Sequence, residues 1–234
     1  MFEIKPEVEK LIKFANDNNK QLYIVGGAVR DLVLGKNNIC DFDLVGNVSL
    51  DEFYRYSETN YLKMEILNKK LGVVRFVFDD FVVECARMRK VIYCNSVSHN
   101  PDQIYFVDDL EEDSKRRDFC CNSLYYDLKS KEIKDFFNGM SDIQAKKIRH
   151  IVVDGVSSLE FDPVRILRLV SFSFKLGFEI DEDTLSVALK NKDNIKSLTQ
   201  ERYNIELNKI KKYYDGSERH IKLLKLFNIE IKNK

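Results

Sequence analysis

The spacing of apolar residues changes near residue 141, and this change limits the folds that the chain can adopt. Before it, short apolar runs with strand-like alternation are separated by glycines and acidic turns. After it, apolar residues recur at helical spacing. The sequence therefore predicts an α+β domain over residues 1–140 and an all-helical domain over residues 141–234. The predicted strands cover residues 21–25, 41–45, 73–78 and 81–85, and the predicted helices cover residues 6–18, 28–34, 51–57, 141–147, 163–176, 182–190, 200–213 and 218–226. Residues 88–101 are predicted to form an irregular, mobile loop.

Composition excludes several classes of protein. The chain has 234 residues, of which 44% are hydrophobic, so it can bury a core and is not a disordered low-complexity sequence. No apolar run approaches the ~18 residues that a membrane span needs. The five Cys and three His form no C-x-x-C motif and no His cluster. We therefore expect no zinc site and no membrane association, and we expect reduced thiols in the cytoplasm.

The charge is balanced overall but not along the chain. Lys and Arg number 38, as do Asp and Glu, so the chain as a whole lacks the basic character of many nucleic-acid-binding proteins. Residues 1–140 carry 20 basic and 24 acidic side chains, whereas residues 141–234 carry 18 and 14. Chance variation explains a difference of this size as well as a function does. The functional interpretation is a carboxylate-bearing first part and a second part that can approach a polyanion.

The strongest local signal is a pair of glycines between a predicted strand and a predicted helix, followed by an Asp-x-Asp motif. Gly26 and Gly27 allow backbone N–H groups to approach an anion, and the N-terminus of the next helix adds its dipole. Strand alternation places Asp41 and Asp43 on one face, where Mg²⁺ would relieve the repulsion between two carboxylates. A lone Asp-x-Asp is more often a solvated turn. The preceding glycines favour a site for phosphoryl or nucleotidyl transfer.

Two further polar groups could contribute to such a site. Glu84 lies in an otherwise apolar predicted strand, so it is either a third carboxylate of the site or an exposed residue of an edge strand. Arg116 and Arg117 can pair with an acid, bind phosphate, or form a basic surface cluster. Asp118 and Asn122 are four residues apart, which places them on one face if this stretch is helical, and both can hydrogen-bond sugar hydroxyls.

A third motif opens the helix predicted over residues 163–176. Asp162 is suited to the N-cap and Pro163 to the first helical position. Arg165 and Arg168 share one face of this helix. A guanidinium beside a carboxylate can present donors and acceptors to the edge of a nucleobase, although a capped helix with two solvent-facing arginines is the simpler interpretation.

Taken in order, these motifs resemble those of one family, the bacterial-type (class II) tRNA nucleotidyltransferases or CCA-adding enzymes, together with the bacterial poly(A) polymerases. The resemblance extends from about residue 21 to residue 207, which is most of the chain. It implies a polymerase-β-like nucleotidyltransferase head in residues 1–140 and a helical neck that recognises nucleotide and RNA in residues 141–234. The matching stretches are VGGAVRDLVLG, CDFDLV, VECARMR, RRDFCCNSL, FFNGMSDIQAKKIRHI, FDPVRILRLVSFSFKLGF and TQERYNIEL.

The resemblance also implies roles for individual residues. It assigns catalysis to three carboxylates, two of which form the Mg²⁺ site, and nucleotide binding to residues of both parts. It further implies that residues 200–207, including Glu201 and Arg202, support the neck helix. The implied catalytic residues are Asp41, Asp43 and Glu84, with Asp41 and Asp43 as metal ligands; the implied nucleotide-binding residues are Gly26, Gly27 and Arg30 for the triphosphate, Arg117, Asp118 and Asn122 for the ribose, and Asp162 and Arg165, with Arg168 beside them, for the base.

By this resemblance, the 3′-hydroxyl of a tRNA attacks the α-phosphate of CTP or ATP in a Mg²⁺-dependent reaction that releases pyrophosphate. Three departures leave alternatives open: Phe161 stands where the family usually has Glu, Ser171 where a basic residue is common, and family members normally continue into further helical domains. The alternatives are a poly(A) polymerase, an A-adding enzyme, or a catalytically weak nucleotide-binding module that works with an RNA-binding partner.

Overall fold

The chain has an α+β fold, described by a computed structural model over residues 4–36, 41–93 and 100–231. Cys40, Cys94 and His99, which the expectation about zinc includes, lie outside these ranges. Up to residue 144 the elements are α1 (Pro6–Asp17), β1 (Leu22–Val25), α2 (Gly27–Val33), β2 (Phe42–Gly46), α3 (Leu50–Thr59), β3 (Lys63–Asn68), β4 (Val73–Val77), β5 (Val82–Arg87), β6 (Arg89–Ile92), β7 (Gln103–Phe106), α4 (Leu110–Lys115), a 3₁₀ turn (Cys120–Asn122), β8 (Leu124–Asp127), β9 (Glu132–Asp135) and α5 (Gly139–Gln144).

Helices dominate the remainder of the chain. The elements are β10 (Lys147–Ile148), β11 (Val152–Val153), β12 (Val156–Ser157), α6 (Ser158–Phe161), α7 (Val164–Leu176), β13 (Glu179–Ile180), α8 (Glu182–Lys190), a 3₁₀ helix (Lys192–Ser197), α9 (Gln200–Tyr213) and α10 (Glu218–Leu226).

The chain divides into two compact units. The first unit comprises Met1–Val91, Ile104–Arg117 and Cys121–Met140. The second unit comprises Ser141–Lys234 together with two short earlier segments, Ile92–Gln103 and Asp118–Cys120.

A seven-stranded sheet forms the centre of the first unit. Its strand order is β3-β4-β5-β2-β1-β8-β9, and β2 and β5 are its one parallel pair within the described ranges. Alternate residues of the central strands, such as Phe42 and Leu44, are fully buried and form its core. Because β1 and β5 flank β2 on either side, the start of β2 lies between two other strands.

The structure contains strands that were not predicted. Strands β3, β8 and β9 add to the predicted set, and Arg89–Ile92 forms strand β6 within the stretch that was predicted to be an irregular loop. That part of the prediction is wrong for residues 89–92, because β6 pairs with β7 in a separate two-stranded sheet.

Gly46 is the glycine on which the pairing of β1 with β2 most depends. It lies opposite Leu22, and a Cβ atom at this position would lie 1.9 Å from the Gln21 carbonyl oxygen. We expect Gly46→Ala to force the two strands apart and to lower the free energy of unfolding by about 1–3 kcal/mol. Urea unfolding measures this loss. The control is Gly27→Ala, whose Cβ would meet no atom closer than 3.6 Å, and equal stability of the two variants would contradict the prediction.

The helices of the second unit begin at side chains that cap them. Asp181, Thr199 and Ser217 accept hydrogen bonds from the first backbone N–H groups of α8, α9 and α10. Helix α7 ends at Gly177, whose φ of 66° suits glycine. The bounds predicted for α8, α9 and α10 are confirmed. None of the helices in the described residues is long and apolar enough to span a membrane.

Candidate active site

Three segments of the first unit converge at one end of the central strands of its sheet. The antiparallel pairing of β1 with β2 places Val25, the residue before Gly26, opposite Asp43. The parallel pairing of β2 with β5 places Glu84 directly beside Asp43. The glycine turn, the Asp-x-Asp motif and the third carboxylate, which are far apart in sequence, therefore meet at the start of β2.

The two aspartates face solvent on the same side of β2. Asp41 and Asp43 are exposed, whereas Phe42 and Leu44 between and after them are buried. This alternation is the one predicted from strand periodicity. It places two exposed carboxylates on one face of the strand.

The glycine turn between β1 and α2 requires a residue without a side chain at its first position. Gly26 is buried and has a φ of 73°, a conformation that other residues rarely adopt. Its N–H donates to the Leu124 carbonyl oxygen, and its carbonyl accepts from the N–H of Arg30 at 3.0 Å. The turn is therefore fixed against β8 on one side and against the first turn of α2 on the other.

Arg30 lies under this turn rather than at the surface. Its side chain is 1% exposed, and one Nη atom donates to Asn122 Oδ1 at 2.6 Å while Asp31 accepts from the other side of the guanidinium. The Nδ2 atom of Asn122 is buried and has no hydrogen-bond partner within the described residues. A buried donor without a partner costs free energy unless a ligand or water accepts from it, so this amide points to an additional acceptor near the glycine turn.

Glu84 is tied to a neighbouring strand. Arg75 Nη2 donates to Glu84 Oε1 at 2.6 Å, and both side chains are partly exposed. This hydrogen bond raises the pKa of the Arg75 guanidinium. The guanidinium compensates the negative charge beside Asp43, so Glu84 has a structural partner as well as its predicted role as a third acid.

The fit of a metal ion rests on the two aspartates. Across residues 4–36, 41–93 and 100–231, no group of three or more His, Cys, Asp or Glu side chains is arranged to hold a metal ion. Asp41 and Asp43 nevertheless provide hard oxygen ligands on one exposed face. Because Mg²⁺ usually binds through one or two carboxylates together with substrate phosphates and waters, this pair fits it.

Arg117, a predicted ribose-binding residue, belongs to a buried network in the first unit. It donates to the Tyr125 hydroxyl at 2.7 Å and to Asp113 Oδ2 at 3.1 Å, and Arg116 donates to the other oxygen of Asp113. Burial alone would raise the pKa of the Asp113 carboxyl, but the two guanidinium groups outweigh it and hold the pKa below its usual value. Burial also raises the pKa of the Tyr125 hydroxyl. Sequence reasoning missed Asp113 and Tyr125, and the acidic run at residues 111–113 beside two arginines was the available signal.

The structure does not place Asp118 and Asn122 on one helix face. Asp118 precedes the 3₁₀ turn that contains Asn122, and its carbonyl oxygen accepts from Ile151 N–H and from the Ser158 hydroxyl. These two hydrogen bonds replace the one that a helix would make. The stretch is not helical at Asp118, so the condition for a shared helix face is not met, and the two residues belong to different compact units.

Within the second unit, Asp118 is paired with an arginine of helix α7. Arg168 Nε donates to Asp118 Oδ2 at 2.7 Å. Burial alone would raise the pKa of Asp118, but Arg168 and Arg165 lower it below its usual value. Glu206 is fully buried on α9 and is paired with Arg202 and Lys209. Its negative charge, like that of Asp118, raises the pKa of Arg168. Sequence reasoning quoted the stretch that contains Glu206 but did not single it out.

Asp162 and Arg165 form an ion pair at the start of α7. Asp162 Oδ1 accepts from Val164 N–H at 3.1 Å, and Arg165 Nε lies 3.4 Å from Asp162 Oδ2. Arg165 also donates to the Ser158 carbonyl oxygen. The predicted cap is wrong by one residue: α7 begins at Val164 with Pro163 at the N-cap, and the Asp162 carboxylate accepts from the first helical N–H from one position further back. The motif thus brings a carboxylate and a guanidinium together at the start of α7, with the Asp162 side chain buried.

Comparisons with known proteins agree with the motif-based resemblance. The sequence pattern of the poly A polymerase head domain matches residues 22–149. The chain is 33% identical over 227 residues to the CCA-adding enzyme of Staphylococcus aureus strain MRSA252, and the alignment covers 95% of this chain and 54% of that protein. It is 33% identical over 211 residues to the CCA-adding enzyme of Staphylococcus epidermidis, covering 89% of this chain and 50% of that protein.

Solved structures give the same result. The CCA-adding enzyme of Bacillus stearothermophilus in complex with CTP has a TM-score of 0.77 at 27% identity, covering 94% of this chain and 52% of that one. The Thermotoga maritima CCA-adding enzyme complexed with tRNA has a TM-score of 0.75 at 25% identity, covering 97% of this chain and 52% of that one. The chain therefore spans about half the length of the relatives that it matches. Its motifs, its fold and these similarities show that it belongs to the poly A polymerase head domain family.

Proposed function

We propose that this chain transfers CMP and AMP from CTP and ATP to the 3′ end of tRNA, without a nucleic-acid template. The observation that carries the proposal is the convergence of the Gly26 turn, the Asp41 and Asp43 carboxylates and Glu84 at one end of the central strands. A relative is solved with CTP and another with tRNA, which supports this choice of substrates. Residues 1–140 would act as the catalytic head and residues 141–234 as the neck.

The chain's own residues would bind and orient the reactants. The Gly26–Gly27 turn would hold the triphosphate, with the unpartnered Nδ2 of Asn122 as an additional donor, while Arg30 supports the turn from below. Asp41 and Asp43 would hold Mg²⁺, with Glu84 beside them as the third acid. The 3′-hydroxyl then attacks the α-phosphorus, its proton passes to solvent, and pyrophosphate leaves with the pair of electrons of the broken P–O bond. When bound, Mg²⁺ would supply the positive charge that favours the alkoxide and stabilises the leaving group.

The second unit would choose the base. Asp162 and Arg165 present an acceptor and donors whose positions are fixed by α7, which suits recognition of a base edge in place of template pairing. Asp118 and Arg168 form the neighbouring pair, and Arg117 would act by supporting the head through Asp113. The reaction would take place in the cytoplasm, where the buried free thiols Cys85, Cys120 and Cys121 stay reduced.

An addition assay tests this function. The chain, Mg²⁺ and each labelled nucleotide are offered to tRNAs that end before CCA, after CC and after CCA. Addition of C, C and then A, with a stop, is the expected result. Addition of A alone to the CC-ended tRNA would instead identify an A-adding enzyme. Continued addition of A would instead identify a poly(A) polymerase. Nucleotide binding without any addition would favour the binding module.

Arg165 gives a prediction about selectivity. We expect Arg165→Ala to lower the ratio of kcat/KM values that distinguishes CTP from ATP by about 10-fold or more, because a charged hydrogen-bond donor to the base is lost. Triphosphate binding should change much less, which inhibition by inorganic tripolyphosphate measures. Arg165→Lys keeps the charge without the planar fork and should give an intermediate ratio. An unchanged ratio in Arg165→Ala would count against the assignment.

A further inference from the structure

A pair of stacked aromatic rings lies directly beside the base-recognition motif. The ring centroids of Tyr93 and Phe161 are 5.6 Å apart, and the ring planes differ by only 4°. Both side chains are partly buried, and both belong to the second unit. Tyr93 follows strand β6 and Phe161 is the last residue of α6, so the contact joins two segments that are 68 residues apart in sequence.

The position of Phe161 couples this stack to Asp162. Only Asp162 and Pro163 separate the end of α6 from the start of α7. On the N-terminal side, α6 is fixed by the capping box of Ser157 with Glu160. On the C-terminal side, the Asp162 carboxylate is held by Val164 N–H and Arg165. The ring of Phe161 lies between these two fixed points, and its contact with Tyr93 limits how the backbone at Asp162 can move.

The chemistry of Phe161 excludes a direct hydrogen bond to a base. A phenyl ring has neither a donor nor an acceptor for a Watson–Crick edge, so it cannot distinguish cytosine from adenine in that way. Parallel offset stacking is a favourable arrangement for aromatic rings and fixes their relative orientation. The contribution of Phe161 to selectivity must therefore pass through the position of its neighbours.

We propose that Tyr93 and Phe161 are positioning residues for nucleotide selection: their stack holds Asp162, and through it Arg165, in the arrangement that distinguishes CTP from ATP. This inference rests on the proposed function. Tyr93, which lies outside the sequence motifs that carry the family resemblance, then becomes a determinant of substrate choice.

Four variants test the stack. We expect Tyr93→Ala and Phe161→Ala each to change the CTP-to-ATP ratio of kcat/KM values about threefold to tenfold, the range expected for one aromatic pair. The double variant should change the ratio no more than either single variant, because the second substitution removes a contact that is already lost. Tyr93→Phe retains the ring and should retain the wild-type ratio.

The Phe14–Tyr56 pair provides a matched control. It also joins a Phe and a Tyr that are both partly buried, with ring centroids 4.3 Å apart, but it lies between α1 and α3 in the first unit. Tyr56→Ala should lower thermal stability without changing the ratio. Additive effects of the two alanine variants, or an unchanged ratio in both while the wild type adds nucleotides, would overturn the inference. Absence of nucleotide addition by the wild type would instead overturn the proposed function.

Discussion

Replacing Asp43 by asparagine is expected to lower nucleotide addition by at least about 10³-fold while leaving the fold unchanged. The side chain is exposed at the start of β2, between Val25 and Glu84 on the neighbouring strands, so the substitution leaves the core intact. The amide has nearly the same shape as the carboxylate but no negative charge. Loss of a hard anionic ligand removes several kcal/mol of transition-state stabilisation, which corresponds to about three orders of magnitude in rate.

Single-turnover extension of a tRNA that lacks CCA, at saturating CTP and Mg²⁺, measures this effect. Asp51→Asn is the matched control, because Asp51 is exposed in the first turn of α3 in the same unit. The control should extend the tRNA at the wild-type rate. An Asp43→Asn rate within about tenfold of the wild type would contradict the metal assignment.

Replacing Asp113 by alanine is expected to lower the free energy of unfolding by about 3–5 kcal/mol, the cost of breaking a buried ion pair from one side. Asp113 is fully buried and accepts hydrogen bonds from Arg116, Arg117, the Tyr125 hydroxyl and Arg89 N–H. Its removal would leave guanidinium charge in the protein interior without a counter-charge. Urea unfolding at neutral pH measures the loss.

The same network gives a dependence on pH. The folded state holds the pKa of Asp113 below its unfolded value near 4, so its contribution to stability is present above that value and is lost as the pH falls through the lower folded pKa. The stability difference between the wild type and Asp113→Ala should therefore be constant near neutrality and should shrink below about pH 4. Glu111→Gln, an exposed change on the same helix, should alter stability by less than about 0.5 kcal/mol. A loss below about 1 kcal/mol for Asp113→Ala would contradict the account.

The helices of the second unit could be predicted from sequence because local signals set their ends. Asp181, Thr199 and Ser217 precede runs with clear helical periodicity, and their side chains cap those helices. The strands were harder to predict from sequence. Strand β3, at one edge of the sheet, exposes most of its residues and therefore has no apolar alternation to detect. Strand β6 has only four residues, two charged and then two apolar, so it also shows no alternation.

In the candidate site, too, some features follow from local sequence and others depend on contacts between distant segments. The alternation of Asp41 and Asp43 is a property of one strand and could be predicted. The pairing of Glu84 with Asp43 depends on strand order, and the pairing of Glu84 with Arg75 depends on register, so neither follows from local sequence. A shared face for Asp118 and Asn122 required a helix over residues 118–122, and this helix does not form because Ile151 and Ser158, which are distant in sequence, donate hydrogen bonds to the Asp118 carbonyl oxygen.

The most direct test of the proposed function is the mass of a tRNA after incubation with this chain. A tRNA that lacks CCA is incubated with CTP, ATP, Mg²⁺ and the purified protein, and its intact mass is measured. Asp43→Asn protein, purified identically from the same host, shows whether a host enzyme contaminates the preparation. We predict a mass increase of two CMP and one AMP residues with the wild type and no increase with Asp43→Asn. An unchanged tRNA with the wild type, or equal extension by both proteins, would contradict the proposal that this chain is a nucleotide-adding enzyme.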